Sequence, residues 1–245
     1  MSRLLATPGG LPSVLANGNH LLFLLAYLED KRSLIKSKGH STTRFHGFLH
    51  AANAAARFQR LAELISTTRT SLRLLGLFPM YAWLRRLISE RSRSQSKTVY
   101  IATLSQCAAS IVFQSMENLA FLMDRDFLPV ALIARWSNDV RSVYRLAYRA
   151  WLAAILCGLA RILAEALLWL RSQDHPTATE KQSAEQTTFN WREKVGDVCA
   201  TIGWMPVATH CSLPGGLPCF NTGLLGISGL VADLNALQVL WDGTK

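Results

Sequence analysis

The chain is poor in charge. Asp, Glu, Lys and Arg make up 17% of its 245 residues, below the roughly one quarter usual in a soluble domain. No charged residue occurs from Val198 to Ala232. Acidic residues are scarce at the start: residues 1–97 hold 4 Asp/Glu against 15 Lys/Arg, a net of +11, whereas residues 98–245 hold 12 against 11. The marks of chemistry are missing too. The five cysteines (Cys107, Cys157, Cys199, Cys211, Cys219) form no CxxC pair, are odd in number and mostly sit in apolar surroundings, and read as reduced structural thiols. GISG at 226–229 is not the GxSxG nucleophile elbow, no glycine-rich phosphate loop occurs, and the acids are scattered. HGFLH puts His46 and His50 at i, i+4, but without the Glu of HExxH or a third ligand. The expectation is a protein with no enzyme activity, no metal and no cofactor. The run LLFLLAYL at 21–28 lacks the small-residue cleavage pattern of a signal peptide, so secretion is not expected.

What is present is apolar and helical. Half of the residues are hydrophobic and mean hydropathy is +0.17. No strand alternation is sustained, and no internal repeat is found. PGG at 8–10, NGN at 17–19, SKGHSTT at 37–43, RSRSQSK at 91–97, the polar run at 172–188 and LPGGLP at 213–218 punctuate the chain. Between them helices are predicted near 20–35, 48–76, 80–92, 98–124, 127–171, 190–205 and 221–241.

Met80, Trp83, Leu84, Leu87 and Ile88 follow the i, i+3, i+4, i+7, i+8 spacing of one helix face, with Arg85, Arg86, Ser89 and Glu90 opposite. Phe58, Leu61, Ile65 and Leu72 form a second stripe, with Arg57, Arg60 and Arg73 off it and Arg69 at its edge. Basic residues beside an apolar face suit a helix lying in a lipid headgroup layer. An ordinary core-facing helix with a solvated back fits the spacing as well, and the surrounding basic excess favours the lipid. That excess implies an anionic partner, nucleic acid or lipid. Arg141, Arg145 and Arg149 form a basic stripe at i, i+4, i+8 without the aromatic stacking partners a nucleic-acid surface needs, and read more economically as arginines snorkelling at a membrane edge.

Three segments compete as membrane spans. Residues 98–116 are uncharged, but seven of the 19 are Ser, Thr or Gln. Residues 151–170 have the right length, with Arg161 near the middle and Glu165 one turn later; each such charge costs about 2.5–3.5 kcal/mol at mid-bilayer. The stretch 219–241 carries only Asp233 and measures about 34 Å as a helix, enough for a hydrocarbon core of about 30 Å. Its small residues Gly223, Gly226 and Gly229 share a face suited to helix packing or self-association.

Four stretches, in this order, resemble the peroxisomal membrane protein 11 family, most closely its gamma or C-type branch: TRTSLRLLGLFPMYAWLRRL (68–87), ATLSQCAASIVFQSMENLAFLMDRDFL (102–128), ARWSNDVRSVYRLAYRAWLAAILCGLARIL (134–163) and GLPCFNTGLLGISGLVADLNALQVLW (216–241). The resemblance spans roughly residues 45–241. It implies an amphipathic helix that enters the outer leaflet and tubulates it, two membrane-embedded segments, and both termini in the cytosol. Carried over by position, Phe58, Leu61, Ile65, Leu72, Trp83, Leu84 and Leu87 insert, while Arg57, Arg60, Arg69, Arg73, Arg85 and Arg86 meet headgroups. Pro79 departs from that pattern and should kink or end a helix there.

The expected architecture is an all-α membrane protein with amphipathic N-terminal helices and one or two membrane-embedded helices. Residues 1–97 form a basic membrane-surface region, and residues 98–171 a helical region with a possible first membrane segment near 151–170. A polar loop at 172–190 leads to a C-terminal anchor, 191–245, that spans at 219–241. The expected function is remodelling of the peroxisomal membrane for elongation and division. Its partners would be anionic lipids, other copies or paralogues and the fission machinery, with no nucleic acid. Two alternatives stay open. One is a metabolite channel with Arg161 and Glu165 facing its lumen; the other is an adaptor for the fission machinery.

Overall fold

A computed structural model describes residues 9–37, 42–89, 96–133, 139–174 and 191–243. Among the described residues the chain is all helical. Its helices are α1 (Gly10–Ser37), α2 (Thr42–Arg73), α3 (Leu77–Ser89), α4 (Lys97–Asp124), α5 (Val140–Asp174), α6 (Trp191–Ser212) and α7 (Thr222–Asp242), with a 3-10 turn at Val130–Ile133. They fall into two compact units, Met1–Leu74 with Ile202–Lys245, and Leu75–Thr201.

In the first unit α1 packs along both α2 and α7. It begins ten residues earlier than the sequence predicts and runs straight through NGN at 17–19. Asn and Gly are poor helix formers, but Asn17 and Asn19 are buried and packing overrides propensity. Helix α7 is capped by Asn221, whose side chain accepts the Leu224 N–H at 3.0 Å. The α1–α7 pair is antiparallel. Gly9 meets Leu240, Asn17 Nδ2 lies 3.4 Å from the Asp233 carbonyl, and Leu24 and Tyr27 meet Gly226 and Gly223. The second half of α6 lies equally close to α7, since a Cβ at Gly203 would sit 2.6 Å from the Ser228 carbonyl oxygen. Pro206 lies inside α6 without ending it.

The turn between α6 and α7 is organised by His210. Its Nδ1 accepts the Leu217 N–H at 2.9 Å and its ring stacks on Phe220 at 4.5 Å. Gly216, at φ +67°, backs directly onto the same ring, a left-handed conformation that also leaves no room for a side chain.

The second unit is built on an α4–α5 hairpin. Phe113 stacks on Trp151 at 5.6 Å, Gln106 covers Gly158, and Ala120, Met123 and Val143 close the far end. Helix α3 packs against α4. The chain breaks between α2 and α3 at Leu74–Gly76, ahead of Pro79, which sits in the first turn of α3 where its missing N–H costs nothing.

Burial is inverted relative to a soluble protein. Of the 16 buried hydrophobic residues among those described, half are alanine and none is leucine, whereas 18 leucines are exposed. Small residues bring the helices together and long apolar ones face outward, which is how helices pack when the surrounding medium is itself apolar.

Candidate membrane-contact surface

Among the described residues four helices are long and apolar enough to cross a membrane: Gly10–Arg32, Lys97–Asp124, Val140–Arg171 and Thr222–Asp242. The first is the one the sequence reading passes over, because NGN looked like a boundary. The second carries a polar seam. Gln114, Glu117 and Asn118 share a helix face at i, i+3, i+4 and are all buried, with Gln114 Nε2 donating to Asn118 Oδ1 at 2.7 Å. That seam is turned inward, while Thr98 and Ser105 are exposed along with Ile101 and Val112.

The residues expected to insert lie on two helices. On α2, Leu61 and Leu72 are exposed while Phe58 and Ile65 are half-buried; Arg57 and Arg60 are exposed, and Arg69 and Arg73 half-buried. Leu64, outside the expected set, is 62% exposed. On α3, Trp83, Leu84 and Leu87 are half-buried, on a helix that packs against α4. The more exposed apolar side of α3 carries Phe78, Tyr81 and Ile88, at 74%, 62% and 62%. Arg85 and Arg86 are exposed, and no residue of α3 is buried. The sequence stripe thus picks out the helix, while the structure shows which side of it is free.

Gly223, Gly226 and Gly229 are all buried. A Cβ at Gly226 would stand 2.8 Å from the His20 carbonyl oxygen and the Leu24 nitrogen, and one at Gly229 would overlap the His20 ring. The glycine face of α7 is filled by α1 of the same chain.

Arg161 and Glu165 inside α5 are compensated; spacing shows them one turn apart, but not their further partners on α6. Arg161 donates to Glu165 at 3.1 Å and to Asp197 at 3.1 Å, and Lys194 donates to the other oxygen of Glu165. Two cations and two anions join α5 to the start of α6 at no net charge. In the first unit, His20 is 5% exposed and its Nε2 lies 3.4 Å from Asp233 Oδ2. That distance is within ion-pair range, but neither His20 nitrogen nor this oxygen makes a hydrogen bond. Trp204 of α6 packs edge-on against the imidazole at 5.4 Å.

His46 and His50 fall on α2. Among the described residues no cluster of three or more His, Cys, Asp or Glu is placed to hold a metal. Among the described residues, apolar side chains are exposed along each of the four candidate spans, and apolar side chains are exposed beside arginines on α2 and on α3.

A model of the family described as peroxisomal biogenesis factor 11 (PEX11) matches residues 42–241, from the start of α2 to the penultimate residue of α7. No curated protein and no solved structure matches the chain.

Proposed function

The chain belongs to the peroxisomal biogenesis factor 11 family, and from that premise we propose that it remodels the peroxisomal membrane by inserting α2 and α3 into one leaflet. The family is one of peroxisome biogenesis factors, not of enzymes, and the outward-facing apolar helices fit a membrane setting. The observation that carries the mechanism is α3, a helix with no buried residue that exposes Phe78, Tyr81 and Ile88 beside Arg85 and Arg86. Shallow insertion of such a helix expands one leaflet and bends the bilayer. Anionic lipid holds each arginine by about 1 kcal/mol near the surface.

The gamma or C-type branch is proposed from the four ordered stretches that carry the resemblance. Both termini are proposed to be cytosolic: residues 1–97 carry +11, whereas the run 172–188 has one Lys against Asp174, Glu180 and Glu185. Association with other copies, paralogues or the fission machinery belongs to the same proposal. For the channel alternative, Arg161 and Glu165 would have to line a lumen, and both are committed to Asp197 and Lys194.

The test is made in cells, with the protein tagged at native expression beside a peroxisomal matrix marker. Co-localisation, with fewer and larger peroxisomes on loss of the protein, is the expected result. Unchanged number and shape would remove the remodelling reading.

A further inference from the structure

Helix α1 lies outside the stretch that matches the family, yet it covers a face of α7 that lies inside it. Gly223, Gly226 and Gly229 form the kind of small-residue seam through which apolar helices associate. The contact is close along its whole length, from Tyr27 over Gly223, through the Leu24 backbone at Gly226, to the His20 ring on Gly229.

The middle of the contact is polar and incompletely bonded. His20 is buried, and both of its ring nitrogens, Asp233 Oδ2 and Asn17 Oδ1 lack hydrogen-bond partners. Asn17 Nδ2 reaches the Ser13 carbonyl at 2.9 Å and the Asp233 carbonyl at 3.4 Å. A buried polar centre of this kind acts in two ways. It fixes register, because Asp233 on α7 finds an imidazole at only one position of α1. It also holds less tightly than an apolar contact of the same shape, since partly satisfied groups keep some of their desolvation cost.

We propose that α1 is an in-chain cover on the glycine face of α7, registered by His20 and Asp233, and that it withholds this face from association with a second copy of the chain. The cover is releasable because its centre is incompletely bonded. Self-association through α7 is then controlled by the N-terminal helix, a property separable from leaflet insertion by α2 and α3.

The test uses the full chain in proteoliposomes, with donor- and acceptor-labelled copies mixed. The quantity read is the part of the intermolecular energy transfer that Gly226→Leu removes. In the wild-type chain this part is expected to be close to zero. The variant His20→Trp with Leu24→Trp, which overfills the contact from the α1 side and leaves α7 intact, should strengthen Gly226-dependent association about tenfold. Gly226-dependent transfer already present in the wild-type chain would show an open face and overturn the proposal. Its absence in the Trp variant would show that the face does not associate, with the same consequence. A second reading does not depend on that variant folding. Gly9→Cys with Leu240→Cys should be bridged within one chain by a short bifunctional maleimide, located by peptide mass. A two-chain product, or no product, refutes the cover. Adding His20→Leu and Asp233→Leu together should raise the yield of the single-chain product, because an apolar pair closes the contact more tightly. A lowered yield would count against the partly bonded centre as the point of release.

Discussion

Helix α3 offers a quantitative test of leaflet insertion. Phe78 and Ile88 are 74% and 62% exposed, so moving their free surface into lipid contributes about 1.9 and 1.6 kcal/mol, taking ~2.5 kcal/mol for complete burial of either side chain. Replacing both with Ser should therefore remove about 3.5 kcal/mol, a fall of roughly 300-fold in the insertion equilibrium at 1.4 kcal/mol per tenfold. Arg85→Gln with Arg86→Gln should remove about 2 kcal/mol, or roughly 30-fold, and only on anionic membranes at low salt. Trp83→Ser, at a half-buried position, should weaken insertion less than Phe78→Ser. The assay places a fluorophore on Ala82→Cys in the full chain and reads its quenching by nitroxide lipids against an aqueous quencher. Lipid quenching should dominate in the parent and give way to aqueous quenching in the Phe78/Ile88 variant. Equal lipid quenching in both would refute the assignment of that side of α3 to the bilayer. A larger loss with Trp83→Ser would turn the helix over.

Arg161→Leu should destabilise the second unit by about 1–2 kcal/mol, because it leaves Asp197 without its cation in a site only partly screened by solvent. Adding Asp197→Leu should recover most of that loss, as read by thermal unfolding in detergent. Gly203→Val forces a side chain against the Ser228 carbonyl and Ala232 and should cost about 2 kcal/mol or more through overpacking. Its signature is faster proteolysis around residues 213–221, and unchanged cleavage would count against the α6–α7 contact. His210→Ala removes the acceptor of the Leu217 N–H and the stack on Phe220, and should loosen the same turn by about 1–2 kcal/mol locally, seen as lost protection of the Leu217 amide in hydrogen exchange. Maleimide should modify exposed Cys219 well before Cys211, whose thiol is pushed above its usual range by burial and so offers less thiolate. Comparable rates would contradict that burial.

Much of the helical order is legible because it rests on local rules. The break at LPGGLP and the outward arginines of α3 follow from glycine and spacing. The start of α1 is not legible in the same way. NGN at 17–19 is helical only because Asn17 and Asn19 are buried in packing, and no local preference records that packing. The same limit hides Asp197 and Lys194, although the spacing of Arg161 and Glu165 shows that pair. Asp233 is visibly alone in its stretch of sequence, and nothing near it points to His20. The inward polar seam of α4, Gln114 with Glu117 and Asn118, is likewise set by packing that no local pattern marks. Spacing gives one apolar stripe on α3, and contact with α4 leaves Ile88 of that stripe exposed together with Phe78 and Tyr81 beside it. Residues 38–41, 90–95, 134–138 and 175–190, including most of RSRSQSK and of the polar run at 172–188, lie outside the described residues.

The antiparallel course of α1 and α7 sets Gly9 against Leu240. For a pair of this course that spans a bilayer, the start of α1 and the end of α7 open into the same compartment, whichever way up it sits. Reporters fused at the two ends would share one pH, one set of proteases and one pool of soluble partners. A donor at one end and an acceptor at the other would sit within energy-transfer range inside a single molecule.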